Sequence, residues 1–431
     1  MKKFLKYSLA SVLIVAFALG IYIYTSGYRI EVQEKGIKSD IFLKGFENAV
    51  ALETDNEGNY FICYENEIIK INKENMTEKI YTNNGLQIED VVYLENNLFL
   101  LSKEDLLKIN LKDGSIDRII KDIPFGNERI KRKLLANENK IYLSIGSFTN
   151  TGIMEKSDQF TKKLWDKSPI DLELTGENYG DGNTGAFKKY GEKSLEDEKI
   201  KGESLGNSAV YEIDTEKKEG ILYASGIKNV LAWDVNSLNE IVGVIEGLEP
   251  NGTRGVLRDT DHIYKITKGT WYGWPDYSGG DKISSPKFSD SEGIKQIIKK
   301  PLEEVVKGPY YEHNNLSSID CLAIDKKGVI LEEDTILFFD SKENKVFSLD
   351  SKKKVSEFLK LDKNSEIKDI IFLDTECLLL DSQSGYIYKL EKDRLNFIGN
   401  IPKSIIIILV VTGLAILLIS VKKILNKKEN K

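Results

Sequence analysis

Ile68-Ile69-Lys70-Ile71 decides the fold, because its pattern returns all along the chain. It recurs as Leu106-Leu107-Lys108-Ile109, Val210-Tyr211-Glu212-Ile213, Ile263-Tyr264-Lys265-Ile266, Val346-Phe347-Ser348-Leu349 and Ile387-Tyr388-Lys389-Leu390. Every copy reads aliphatic, bulky, variable, aliphatic, which is a short strand with one face turned to a core. Two further apolar runs precede each copy, as in Val50 to Leu52 with Tyr60 to Cys63, Val91 to Leu94 with Leu98 to Leu101, and Ile370 to Leu373 with Cys377 to Leu380. A period of roughly 40 residues with three or four short strands per unit marks a propeller blade. A blade cannot bury both faces alone, so stacking supplies the core and closing the ring removes exposed ends. The six copies predict a six-bladed, all-β propeller.

Two units are stretched by polar segments rich in Gly, Ser, Lys and Glu. One, from Met154 to Asn207, splits blade three; the other, from Asp276 to Asn315, separates blade four from blade five. Neither has strand periodicity, and loops of this length are functional or disordered. They read as flexible loops open to proteolysis. Asp181-Gly182-Asn183 faintly resembles a calcium loop but lacks the later acidic ligands, which again favours a plain loop.

Of the 431 residues, 41% are hydrophobic and 30% charged, enough apolar material for a packed core. The formal charge is −7, from 68 acidic and 61 basic residues, and no long basic block lies outside the tails, so nucleic acid is not an expected partner. Cys63, Cys321 and Cys377 each sit in an apolar run without metal spacing, and read as buried thiols.

Both ends point to a membrane. Tyr7 to Tyr24 is almost wholly apolar and follows Lys2, Lys3 and Lys6, so residues 1–27 read as a signal anchor or a signal peptide. Ser404 to Val421 carries no charge and is followed by lysines in the tail 422–431. Its length is near the ~20 residues that cross a bilayer. Lysine flanks belong in the cytoplasm. The expected molecule is therefore a propeller over residues 28–400, held outside the cell membrane by N- and C-terminal transmembrane helices.

The residues after the third blade suggest a relative. The chain reads Gly226-Ile227-Lys228-Asn229, then Glu246-Gly247, then Asp261-His262, then Tyr272-Gly273-Trp274-Pro275. This succession resembles the glucose/sorbosone dehydrogenase family, which carries a Gly-x-Arg-Asn turn, a Glu/Gln-x-Gly-type turn, an Asp-Glu pair and a Tyr-Gly-Trp-Pro end in that order. The resemblance extends faintly over residues 40 to 395. It implies a six-bladed propeller that binds pyrroloquinoline quinone (PQQ) with calcium beside it and oxidises a sugar or polyol. That chemistry needs cations for three carboxylates, a base for the hydroxyl proton and a Lewis acid at the quinone oxygens.

Carried over residue by residue, the resemblance implies cofactor contacts at Lys228, Asn229, Lys342 and Lys368, and a metal at Glu246 and Gly247. Lys228 and Lys368 stand where the family has arginine, which trades a bidentate fork for a point charge. Glu128 falls where the family places its histidine base. A carboxylate there would be repelled by the cofactor's own carboxylates and would tend to protonate. Each position also has a plainer reading. The three lysines can be solvated loop residues, Glu246-Gly247 a tight turn, Trp233, Trp271, Trp274 and Pro275 packing between blades, and His262 a surface or inter-blade residue; His313 resembles a histidine that some members carry on a rim loop. Two functions stand open: a membrane-tethered quinoprotein oxidising a sugar or polyol, or a non-catalytic propeller that binds a carbohydrate, an envelope polymer or a protein.

Overall fold

The computed structural model describes residues 30–55, 57–126, 129–157, 164–290, 294–393 and Thr412. Six antiparallel sheets of four or five strands stand around one axis. Their innermost strands are Ala51–Thr54, Ile88–Leu94, Arg132–Asn137, Val230–Val235, Ile319–Asp325 and Ile367–Phe372, each adjoining the next and the last adjoining the first. All six third strands anticipated from the repeat are present; of the partner strands quoted with them, Tyr60–Cys63 has the anticipated bounds and the others differ by one to three residues at an end. The turns explain why the hairpins are so tight. Glu95 and Asn96 both take positive φ, 49° and 63°, the pairing that a two-residue turn needs to match strand twist.

Second strands are the most enclosed, since a neighbouring blade covers each of their faces. Thr335–Asp340 is buried at every position, with Phe338 and Phe339 fully inside. Burying such a side chain stabilises by about 1.5–3 kcal/mol. Cys63, Cys321 and Cys377 are free buried thiols in the same layers.

Carboxylates on inner strands clasp alternate blades together. The Leu134 N–H donates to Asp90 at 2.7 Å, Ile324 to Asp234 at 2.8 Å and Leu52 to Asp369 at 2.6 Å. These join blade two to three, four to five and six to one. Blade three is tied to four by the Trp233 indole, which donates to the Leu134 carbonyl at 2.8 Å.

The ring closes with strands from both ends of the described chain. Ile37–Lys44 is the outer strand of blade six, paired antiparallel with Tyr386–Lys392, and Glu31–Val32 adds a fifth strand to blade five. The Asp393 N–H donates to the Gly36 carbonyl at 2.7 Å and the Ser39 hydroxyl to the Ile30 carbonyl at 3.4 Å, so both ends of the described chain lie against Ile37–Lys44. The apolar segments 7–24 and 404–421 lie outside the described residues apart from Thr412. Among the described residues no helix is long and apolar enough to cross a membrane.

The two polar insertions depart from expectation. The second lies within blade four and not between blades four and five, because the short strand Tyr311–Glu312 returns to pair with His262–Ile266. Nor are the segments bare loops. They form a cap with its own hydrophobic cluster, including Leu172, Leu174 and Phe187 from the first and Ile283, Phe288 and Ile297 from the second. Leu174 bridges to Ile298, and the buried Arg254 pairs with Asp276 at 2.7 Å while donating to the carbonyls of Thr151 and Lys295. The apolar residues are spaced irregularly, so they pack without showing a period. Asp181-Gly182-Asn183 is the turn of the small hairpin pairing Asn178–Tyr179 with Thr184–Gly185.

Candidate functional site

Beneath the cap, a cavity of about 360 Å³ opens between blades three, four and five. Its walls come from the loop into blade three (Arg129, Lys131), the start of the cap (Ser147, Thr149, Asn150), the turn Lys228-Asn229, the segment Glu246 to Glu249, and Ser317 with Asp320. Leu231 is its single apolar side chain.

Asn229 organises this wall. Buried, it accepts from the Lys131 N–H at 2.9 Å and donates to the Arg129 carbonyl at 3.0 Å and to Glu246 at 2.6 Å. Gly146 makes room for it, because a Cβ there would lie 1.6 Å from the Asn229 amide oxygen. Asn229 therefore fixes the loop into blade three against the Glu246 turn.

Lys228 is turned onto the same turn. Its Nζ donates to the Gly247 carbonyl at 2.7 Å and lies 3.2 Å from Glu246 and 3.9 Å from Glu249. Burial alone would push the Glu246 carboxyl up. The Lys228 charge, with hydrogen bonds from Ser317 and Asn229, outweighs it and holds the group below its usual range.

Of the positions singled out from the sequence, Lys228, Asn229, Glu246 and Gly247 thus meet in one cluster. Lys342 and Lys368 stand apart from it. Lys342 donates to the Leu316 carbonyl and lines neither cavity, while Lys368 is paired with Glu366 at 2.6 Å on the wall of the axial channel. Glu128 lies outside the described residues; its neighbour Arg129 lines the cavity.

The axial channel, of about 940 Å³, carries only Lys368 of the three lysines singled out from the sequence. It is lined more by carboxylates than by lysines, Glu53, Asp90, Asp234, Asp320 and Asp369 among them, facing Lys133, Lys326, Lys327 and Lys368. Burial pushes Asp369 up to about 7; Lys133 and the Leu52 N–H oppose this and Asp90 adds to it.

Neither histidine lines either of these two cavities. His262 is buried in blade four against Tyr264, 3.8 Å from Asp259, so it is no surface residue; burial depresses its pKa. His313 is buried too, 2.6 Å from Asp340. Trp233, Trp271 and Trp274 are packing residues, Trp274 donating to the Asn150 carbonyl at 2.9 Å. Arg129, Lys131, Asn150 and Glu249 escaped sequence reasoning because they sit on connections without a period, and Asp320 because it is one polar position near the start of the inner strand Ile319–Asp325. The one available signal was the basic run Arg129 to Lys133 after the position counted for the base.

This donor set does not fit a tricarboxylate quinone with its calcium. Lys228 is committed to Glu246 and Gly247, Lys368 to Glu366, and the Gly247 carbonyl that a metal would take already accepts a lysine proton. Among the described residues no group of three His, Cys, Asp or Glu side chains is arranged to hold a metal ion.

No family profile and no curated protein sequence matches the chain. Solved structures do resemble it. The calcium structure of a Trichoderma reesei carbohydrate-active enzyme of family AA12 aligns with TM-score 0.57 and 12% identity over 84% of this chain and 97% of that one. The holo PQQ domain of pyranose dehydrogenase from Coprinopsis cinerea gives 0.55 and 10% over 84% and 97%. The PQQ-bound aldose sugar dehydrogenase of Streptomyces coelicolor gives 0.54 and 11% over 82% and 98%. At such identities the likeness is one of fold, and the chain takes the six-bladed propeller architecture of PQQ-dependent sugar dehydrogenases.

Proposed function

We propose that this chain is a non-catalytic propeller, held on the outer face of a membrane by its apolar segments, that binds a small polyhydroxylated ligand such as a sugar unit in the cavity under its cap. The observation that carries this reading is the cavity wall. Arg129, Lys131, Glu249 and Asp320 set hydrogen-bonding side chains of both signs around a space of about 360 Å³, with Ser147 and Asn150 bonded to the main chain of Thr149 and Glu249 in the wall behind them. That is within the ~300–1,000 Å³ typical of small-molecule pockets, and hydroxyl groups can use such a wall from either side of the bond. Sugar oxidation would further require a base that is free at neutral pH. Both histidines of the chain are buried elsewhere, and the lysines that would hold a quinone are paired. A quinone-dependent dehydrogenase is therefore the weaker reading.

The test uses the full-length chain in lipid nanodiscs, titrated calorimetrically with a panel of monosaccharides and sugar alcohols, with and without PQQ and calcium. We expect saturable binding of at least one sugar, unchanged by quinone or calcium and weakened tenfold or more by Asp320→Ala. A quinone absorbance that stays with the protein, with sugar-dependent bleaching, would replace this reading with the enzymatic one.

A further inference from the structure

We propose that the Lys228 ammonium is a covalently attached substitute for a divalent cation, so that the site works without calcium and becomes a calcium site only when Lys228 is removed. The proposal holds whether or not the cavity takes a sugar. A lysine ammonium has three protons and no acceptor, and here it meets three oxygen groups. They are the Gly247 carbonyl at 2.7 Å, Glu246 at 3.2 Å and Glu249 at 3.9 Å. A backbone carbonyl with two carboxylates is the hard oxygen set that calcium prefers.

Two of the three oxygen groups, Glu246 and Gly247, do not depend on Lys228 for their places, while Glu249 stands at the open rim, a third exposed. Ser317 holds one oxygen of Glu246 at 2.6 Å and Asn229 holds the other at 2.6 Å. Gly247 is fixed by close packing, since a Cβ there would come within 2.2 Å of the Thr260 carbonyl. Removing the ammonium therefore leaves a preformed acidic pocket. While it is present, a calcium ion would have to enter beside a buried positive charge a few ångströms away, where like charges exclude one another. Without the lysine, the two carboxylates Glu246 and Glu249 carry the charge that one divalent cation balances.

The test measures calcium binding by equilibrium dialysis of the full-length protein in nanodiscs against calcium chloride, together with thermal unfolding. The wild type is expected to bind no calcium that Glu246→Gln removes. Lys228→Met is expected to gain one equivalent, with a Kd of ~10⁻⁴–10⁻³ M as for sites with few protein ligands, and a melting temperature that rises with calcium. Lys228→Met combined with Glu246→Gln loses both gains. Lys228→Gln, which can still donate to the Gly247 carbonyl, serves if the methionine variant fails to fold. The proposal is overturned if a cooperatively folded Lys228 variant binds no more calcium than the wild type, or if the wild type binds an equivalent that Glu246→Gln abolishes.

Discussion

Arg254 and Asp276 form an ion pair at 2.7 Å with neither side chain open to solvent. Asp276 also accepts from the Ile297 and Ile298 N–H groups at 2.8–3.1 Å, and the Arg254 guanidinium stacks 5.3 Å from the centre of the Tyr179 ring. The pair therefore joins both insertions into one cap. Arg254→Ala leaves a buried carboxylate without its partner, a loss of about 3–5 kcal/mol. Limited proteolysis should then find new cuts in 164–207 and 276–290 that the wild type resists, with the blade strands still protected. Cuts of equal rate in both proteins would mean that the cap does not depend on this pair.

Gly146→Ala should disable the cavity more than the fold. The added methyl collides with the Asn229 amide, which must leave Lys131, Arg129 and Glu246 together. Overpacking of this kind costs about 1–3 kcal/mol, a shift that urea denaturation resolves. Ligand affinity should fall tenfold or more, and a variant that binds like the wild type would show that Asn229 does not organise the wall.

Asp369 gives stability a pH dependence of definite sign. Burial raises its folded-state pKa to about 7, against about 3.9 in an unfolded chain. Between these values the folded state keeps a proton that the unfolded state releases, so this group's contribution declines as pH rises from about 4 to about 7. Asp369→Asn removes the titration and keeps an acceptor for the Leu52 N–H. The melting temperature of the variant relative to wild type should accordingly be higher at pH 7 than at pH 4.5. Its half-open position on the channel reduces the size of the effect, not its direction.

The two proposed anchors carry a prediction about their spacing. The Ser39 hydroxyl donates to the Ile30 carbonyl at 3.4 Å and Ser39 pairs with Leu390, so the described chain begins and ends against the same outer strand of blade six. Single cysteines at Gly27 and Arg394, in a chain whose three buried native cysteines are replaced by alanine, should cross-link with a short bifunctional maleimide in intact membranes. Protease added outside intact cells should remove the propeller and spare the lysine-rich tail. A propeller protected from that protease would overturn the topology.

Much of the ring was legible because strands that are half covered must alternate, and Ile68, Leu106, Val210, Ile263, Val346 and Ile387 each begin such an alternation. The cap was not, because Leu172, Phe187 and Ile297 reach a common cluster from irregular turns where side-chain contact, not backbone period, sets the spacing. The site divides the same way. Lys228, Asn229, Glu246 and Gly247 lie on two turns whose residues keep a recognisable order. Arg129, Asn150 and Asp320 join them only because blades three, four and five pack side by side.

The closure of the ring at blade six has a mechanical meaning. Ile37 pairs with Lys392 at the very end of the ladder between Ile37–Lys44 and Tyr386–Lys392. Tension that drew the two tethers apart would load this ladder from its open end, breaking its bonds one after another like a zip once Glu31–Val32 had peeled from blade five. Tension on both tethers together would pass into the rim without separating the strands. If both apolar segments anchor the chain as proposed, the propeller is held firm against drag from outside and yields first to the parting of its own anchors.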